Sequence, residues 1–142
     1  MERGNEQEPY ARMNYEAATG NIVNEVGFIK HDSIMVGASP DGLIEKDGGL
    51  EIKSVLPTVQ IETIEKGIFP TAHRAQVQGC LWITGRKWWD FVSYSPDLPE
   101  NLSLYIYRIE RDEEYIEKLA SGVEVFLNEV DMLFLNLKNK EI

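Results

Sequence analysis

Two carboxylates and a lysine are spaced along this sequence in a way that suits a hydrolytic metal site. Asp41 lies in the turn sequence Ser-Pro-Asp-Gly, and ten residues later Glu51, Ile52 and Lys53 follow one another. Side chains alternate between the two faces of a strand, so Glu51 and Lys53 share a face. A hairpin between the turn and this strand folds Asp41 back beside Glu51. Converging oxygen ligands of this kind bind hard divalent cations, and the carbonyl of Ile52 is a further candidate ligand.

Such a site offers the chemistry that phosphodiester hydrolysis requires. A metal ion lowers the pKa of a water, and a second ion stabilises the leaving oxygen. Lys53 would polarise the attacking water or neutralise charge on the phosphorus. Each part also has an ordinary interpretation, because Ser-Pro-Asp-Gly is often only a turn and Glu-Ile-Lys only a solvated strand surface. From the residues alone, a metal site and a structural pattern both remain open.

The surrounding sequence predicts a mixed α/β fold that would position these residues. Periodicity and turn signals predict helices over 5–18, 57–67, 72–83 and 112–137, and strands over 22–30, 34–38, 43–45, 50–55, 88–94 and 102–109. Strict alternation over 50–55 predicts a strand with one buried face. We therefore expect a central mixed sheet of about five strands flanked by helices, in a single domain over residues 1–142.

The composition is that of a soluble globular protein. Apolar residues make up 43% of the chain, and no apolar run approaches a membrane span. The polar N-terminus is no signal peptide. The single cysteine, Cys80, excludes an internal disulfide and an all-cysteine metal site. We expect a cytoplasmic protein with no membrane partner.

The net charge of −10 is unusual for a protein that grips DNA. Phosphate contacts normally supply most of the affinity and leave a basic patch on the protein. Here the acidic residues concentrate after residue 109, and the middle of the chain is more balanced. Because net charge describes the whole surface, it does not exclude catalysis in one cleft. A non-catalytic acidic module that docks basic partners stays open as an alternative.

Other polar side chains near the pattern have two interpretations each. Glu8 lies on a predicted surface helix, where acidic residues are usually solvated. Gln76 and Gln78 carry amides that could hydrogen-bond a phosphate or a water, and His73 and Arg74 precede them. Surface glutamines and histidines are also common without any such role. The same choice, between base stacking and the core, applies to Trp82, Trp88 and Trp89.

Taken in order, several blocks of the sequence resemble the phage lambda exonuclease family, the YqaJ-like viral recombinase nucleases of the PD-(D/E)XK superfamily. The matching blocks are residues 3–8 with 11–12, 37–43, 50–53, 75–78 with 81–84, and 109–112. The resemblance implies a restriction-endonuclease-like core in which Asp41 and Glu51 bind metal and Lys53 is the catalytic lysine. It adds Glu8 as a helix-borne acidic residue and Gln76 as the glutamine that orients the site. His73 stands where some relatives carry a tyrosine near the scissile phosphate, and it is a candidate DNA contact. Arg74 and Gln78, which follow it in the sequence, are further candidates.

This resemblance also implies an activity and partners. The family digests one strand of linear double-stranded DNA from 5′ to 3′ and requires Mg²⁺, which implies two ions with Mn²⁺ as a substitute. Its members form toroidal trimers and work with a single-strand annealing protein in phage recombination, here in the cytoplasm of a bacterial host. Relatives have a segment before the first matching block, which we expect this chain to lack. A structure-specific or sequence-specific endonuclease with the same core remains an alternative.

Overall fold

The computed structural model describes residues 2–140, and the chain divides into two units, residues 1–111 and 112–142. The first unit contains, in chain order, α1 (Glu2–Thr19), β1 (Val23–Asn24), β2 (Ile29–Lys30), β3 (Gly37–Ala38), β4 (Gly42–Ile44), β5 (Gly48–Ser54), α2 (Pro57–Lys66), a 3-10 turn (Thr71–His73), α3 (Arg74–Thr84), β6 (Trp88–Tyr94), α4 (Glu100–Ser103) and β7 (Leu104–Glu110). The second unit contains α5 (Glu113–Lys140). That the whole chain acts as one nuclease domain stays a prediction.

The central sheet has the strand order β1-β4-β5-β6-β7, with β5 in the middle. β5 and β6 are parallel, and the other neighbouring pairs are antiparallel. A parallel pair needs a crossover connection, and the segment with α2, the 3-10 turn and α3 provides it. β2 and β3 form a separate two-stranded sheet. The predicted fold class, a mixed sheet of about five strands flanked by helices, is confirmed.

Alternation along β5 and β6 divides the side chains between two layers. Leu50 and Ile52 join Ala11 and Tyr15 of α1 in one core cluster. Glu51, between Leu50 and Ile52, points to the other face, where it accepts a hydrogen bond from α3. Glu51 is only 4% exposed, so both faces of β5 are covered at this point. The prediction of a strand with one buried face is therefore wrong, because the crossover helices cover the second face.

A buried polar network fastens α1 to the sheet. The hydroxyl of Tyr15 donates to Asp90 on β6 at 2.5 Å, and Arg108 on β7 donates to both oxygens of the same carboxylate at 2.8 and 3.0 Å. The guanidinium of Arg108 also lies 3.7 Å from the ring centre of Trp88. Burial and the bond to Asp90 raise the pKa of Tyr15 to about 12. These bonds fix the height of α1 over the sheet.

Most predicted elements are present, but several boundaries differ. The strand predicted over 34–38 is reduced to β3 (Gly37–Ala38). The strand predicted over 22–30 is divided into β1 and β2, because β1 pairs with β4 while β2 pairs with β3 in the other sheet. The strand predicted from residue 102 begins at Leu104, since α4 occupies the residues before it. The hairpin of β4 and β5, the helix from Pro57 and the strand over 88–94 are confirmed. Within residues 2–140, no helix has both the length and the apolar character that crossing a bilayer requires.

Candidate active site

The candidate site lies where β4 separates from β5. The N–H of Asp41 donates to the carbonyl of Leu50 at 3.2 Å, and Gly42 is the first residue of β4 in register with β5. Beyond Leu50, β5 continues to Ser54 paired with β6 alone. The N–H of Ile52 then donates to Oδ2 of Asp41 at 2.7 Å, where a neighbouring strand would otherwise bind it. The side chain of Asp41 thus covers the open edge of β5.

This open edge borders a cavity of about 450 Å³. Glu8 reaches the cavity from α1 on one face of the sheet, and Glu51 and Lys53 reach it from β5. They meet because, within residues 2–140, no strand lies beside this part of β5 on the Asp41 side. The predicted convergence of Asp41, Glu51 and Lys53 is present in the structure, and Glu8 joins it.

Glu51 is held by two partners on one oxygen. Gln76 of α3 donates its amide to Oε1 at 2.9 Å, and Nζ of Lys53 lies 3.2 Å from the same atom. The lysine side chain is 31% exposed, so its ammonium also reaches solvent on the cavity side. Gln76 therefore orients Glu51, and both contacts leave Oε2 of the carboxylate for another ligand.

Three acidic side chains compete for ionisation in this cavity. Burial raises the pKa of Asp41, and the negative charge of Glu51 raises it further, although bonds to Glu8 and to the Ile52 N–H oppose the shift. Burial and the hydrogen bond to Asp41 raise the pKa of Glu8, while Arg12 lowers it. Burial also raises the pKa of Glu51 against the effect of Lys53. A bound divalent cation would relieve this crowding of negative charge.

The donor set fits a hard divalent cation. In an extended strand the N–H and C=O of one residue point to the same side, so the carbonyl of Ile52 points toward the Asp41 side, as its N–H does. Two carboxylates and this carbonyl are oxygen donors of the type that Mg²⁺ and Mn²⁺ accept. Over residues 2–140, no three His, Cys, Asp or Glu side chains are grouped as a metal site. The predicted ligand set, with a main-chain carbonyl as third ligand, stays a prediction.

The three candidate DNA contacts differ in position. The ring of His73 stacks on Phe91 with centroids 5.2 Å apart, and burial and the nearby charge of Lys53 lower its pKa. Arg74 is exposed at the start of α3. Gln78 is only 2% exposed, and its amide donates to the carbonyl of Glu110 at 3.0 Å. This buried position excludes the DNA contact predicted for Gln78, which instead ties α3 to β7.

The aromatic candidates belong to the interior more than to a binding surface. Trp89 is fully buried, and Trp88 lies under the guanidinium of Arg108. The ring of Trp82 lies 5.0 Å from that of His31. Behind the site, burial raises the pKa of Cys80 to about 12, with Glu51 adding to the effect. These contacts favour the interpretation as core residues.

One residue at the site lies in a matching block of the sequence, but no role of its own was predicted for it. Arg12 has a side chain only 12% exposed and lies 3.6 Å from Oε1 of Glu8. Its guanidinium also donates to the main-chain carbonyl of Asp41 at 3.5 Å. The available signal is spacing, since Arg12 follows Glu8 by one helical turn on the same face.

All five predicted catalytic residues lie within the part of the chain that matches a known protein family. A family model described as the YqaJ-like viral recombinase domain matches residues 1–87. The alkaline exonuclease LHK-Exo of Laribacter hongkongensis is 44% identical, with a TM-score of 0.93 over 99% of this chain and 73% of that chain. A second structure of LHK-Exo is a complex with dAMP.

Two further relatives are more distant. A phage related exonuclease from Haemophilus somnus 129PT has the same fold, with a TM-score of 0.77 at 16% identity over 96% of this chain and 72% of that chain. The protein ExoD of Escherichia coli (strain K12) is 33% identical over 61 residues, which are 43% of this chain and 69% of ExoD. The predicted family resemblance is confirmed.

Proposed function

Because this chain belongs to the YqaJ-like viral recombinase family, we propose that it is a metal-dependent exonuclease that acts on DNA. The observation that carries the proposal is the convergence of Asp41, Glu51 and Lys53 with Glu8 at the open edge of β5. LHK-Exo, 44% identical over nearly the whole chain, is an alkaline exonuclease. Its complex with dAMP contains a mononucleotide, the product class that an exonuclease releases.

The proposed cofactor is Mg²⁺, with Mn²⁺ as a substitute and two ions in the complete site. Asp41, Glu51 and the carbonyl of Ile52 would hold it, since these oxygens face the same cavity edge. When bound, the cation lowers the pKa of the attacking water and neutralises charge that develops on the phosphate.

The remaining steps fall to this chain's own side chains. In hydrolysis a water oxygen forms a new bond to phosphorus, and the bond from phosphorus to the leaving 3′ oxygen breaks. Lys53, paired with Glu51 and partly exposed, carries the positive charge that stabilises the extra negative charge on the phosphoryl oxygens. Gln76 keeps Glu51 in place through its amide. Glu8 adds a carboxylate from α1, and His73 and Arg74 are proposed to contact the DNA backbone at the start of α3.

The mode of cleavage and the partners are proposed on the family resemblance. We propose 5′→3′ digestion of one strand at the ends of linear double-stranded DNA in phage-type recombination. A single-strand annealing protein, a homotrimer and a cytoplasmic location belong to the same proposal. Each of these proposals is compatible with the geometry of the described residues.

Linear and closed circular DNA of the same sequence distinguish the possible activities. With Mg²⁺ we expect mononucleotides from the linear duplex, an intact closed circle, and no product after chelation with EDTA. Asp41→Asn should abolish the activity, whereas Asp47→Asn, at the opposite end of the same hairpin and 42% exposed, should retain it. Equal cutting of closed circles would instead indicate an endonuclease. Absence of hydrolysis on every substrate would indicate a non-catalytic acidic module.

A further inference from the structure

Arg12 joins two elements of the candidate site that come from distant parts of the chain. Its guanidinium lies 3.6 Å from Glu8 on the same helix and donates to the carbonyl of Asp41 at 3.5 Å, 29 residues away. The other terminal nitrogen lies 3.4 Å from Glu25, a side chain that is 72% exposed. One planar cation thus contacts α1, the segment after β1 and the turn before β4.

The position of Arg12 is costly for the fold. The side chain is only 12% exposed, and its Nε is buried without a hydrogen-bond partner among the described residues. A buried donor without a partner lowers the stability of the fold, because it gives up its hydrogen bonds to water and gains none in return. Local arrangements that cost stability concentrate at functional sites, where placement has a use beyond packing.

We propose that Arg12 is a positioning residue of this site: it sets the distance between Glu8 and the main chain of Asp41, and so the shape of the cation cavity. The inference rests on the proposed function, because it concerns the same cavity. Asp41 is already fixed to β5 through Leu50 and Ile52. Glu8 bonds to the side chain of Asp41, and Arg12 adds a second tie, from the same helix to the main-chain carbonyl of Asp41.

Placement and charge act on cation binding in opposite directions. Arg12 is itself positive, so removing its charge alone would strengthen the binding of a divalent cation, since like charges repel. Removing its contacts allows Glu8 and the Asp41 turn to move apart and would weaken binding. Because Arg12 also lowers the pKa of Glu8, the affinity is measured at about pH 8, well above the ordinary carboxyl range. A weaker affinity in a neutral variant then reports lost placement.

The test measures Mn²⁺ binding to the full chain without DNA, by calorimetry or electron paramagnetic resonance, with turnover on linear DNA as a second readout. For Arg12→Gln we expect about tenfold weaker Mn²⁺ binding, the low end of the 10–100-fold cost of losing a residue that orients metal ligands. Arg12→Lys keeps the charge but lacks the planar fork, so its binding should weaken as well.

Arg86→Gln is the matched control. Arg86 is also partly buried, and it donates to the carbonyls of Ile44, Glu45 and Gly48 at the far end of the hairpin. Its loss should lower the unfolding temperature and leave Mn²⁺ affinity within twofold of wild type. In a Glu8→Gln background, Arg12→Gln should have a smaller effect on affinity, because the group that Arg12 positions has already lost its charge.

The outcomes separate this inference from the proposed function. If Arg12→Gln and Arg12→Lys fold and bind Mn²⁺ as tightly as wild type or more tightly, Arg12 does not position the site. If Arg12→Gln fails to fold, Arg12→Lys alone decides, with wild-type affinity overturning the inference. If the wild-type protein binds no Mn²⁺ and Asp41→Asn changes nothing, the proposed function itself is wrong.

Discussion

Replacing Asp41 by Asn should stabilise the metal-free protein and remove its response to metal. Asp41 is buried beside Glu51 and Glu8, and both burial and the charge of Glu51 raise its pKa. Its ionised form is therefore disfavoured in the fold. An asparagine keeps an oxygen that accepts from the N–H of Ile52, now 2.7 Å away, and removes one negative charge from the cavity. A structural aspartate would show the opposite effect on stability.

The expected gain follows from the electrostatics. Two like charges about 4 Å apart repel by about 4 kcal/mol at an effective dielectric constant of about 20, and the repulsion falls in proportion as the distance grows. The positive charge of Lys53 offsets part of this repulsion at Asp41, so we expect a gain of about 1–2 kcal/mol. For a chain of this size that corresponds to a rise of roughly 2–8 °C in the unfolding temperature.

The assay is thermal unfolding of wild type and Asp41→Asn, with EDTA and with Mn²⁺. A ligand present at about 100 times its Kd stabilises the folded state by about 2.7 kcal/mol. We expect wild type to gain most of this with Mn²⁺ and Asp41→Asn to gain almost none. The variant would therefore be the more stable protein in EDTA, and wild type the more stable in Mn²⁺.

The pH dependence gives a second check on the same reasoning. For Asp41, Glu51 and Glu8 the folded pKa is above the ordinary value. Stability from such groups is complete below the unfolded pKa and is lost as pH rises through the folded pKa. Metal-free wild type should therefore gain stability as pH falls from 7 toward about 4, the ordinary carboxyl range. A variant that is less stable than wild type in EDTA, with an unchanged response to Mn²⁺, would refute the metal-site assignment.

Three further predictions concern single side chains. Lys53→Ala should lower turnover on linear DNA by about 10²–10³-fold, the cost of losing one charge-stabilising donor, while calorimetry shows Mn²⁺ binding largely retained; comparable loss of both would contradict the role given to Lys53. Tyr15→Phe should reduce the free energy of unfolding in urea by about 1–2 kcal/mol, because Asp90 loses a buried hydrogen bond. The pKa of Tyr15 is raised to about 12, so wild type should also lose stability as the pH rises above ~10, the ordinary tyrosine value. Over the same pH range Tyr15→Phe should lose less stability than wild type. Cys80, buried with a pKa of about 12, should react with a thiol reagent at pH 8 only as fast as the chain unfolds, and rapid labelling of the folded protein would disagree with this position.

Local patterns predicted the part of the site that lies in one hairpin. The period-two alternation placed Glu51 and Lys53 on one face, and the Pro-Asp-Gly turn returned Asp41 to them. The open edge of β5 could not be read in this way, because it depends on where β4 stops pairing. The prediction of one strand over 22–30 was wrong for the same reason, because it depends on pairing with distant segments: β1 pairs in the central sheet and β2 in the two-stranded sheet.

Helix geometry alone separates Gln76 from Gln78, although it does not say which of the two faces the site. Residues two apart on a helix differ in direction by about 200°, so Gln76 and Gln78 cannot both face the site. The structure puts Gln76 on Glu51 and Gln78 on the carbonyl of Glu110. What the sequence did not contain was the rotation of α3, which is set by the packing of buried residues such as Val77 and Leu81.

The same helical arithmetic explains why Glu8 rather than Glu6 belongs to the site. At about 100° per residue, Glu8 lies about 60° from Ala11 and about 20° from Tyr15, which are both fully buried. Glu6 falls on the far side of the helix and is exposed. To choose Glu8 over Glu6, one must know which face of α1 is buried. The apolar residues of the helix do not mark that face, because Tyr10 and Met13 are apolar yet more than 60% exposed. Only the contacts of α1 with the sheet reveal which turn of the helix faces Asp41, and Arg12 lies on that turn.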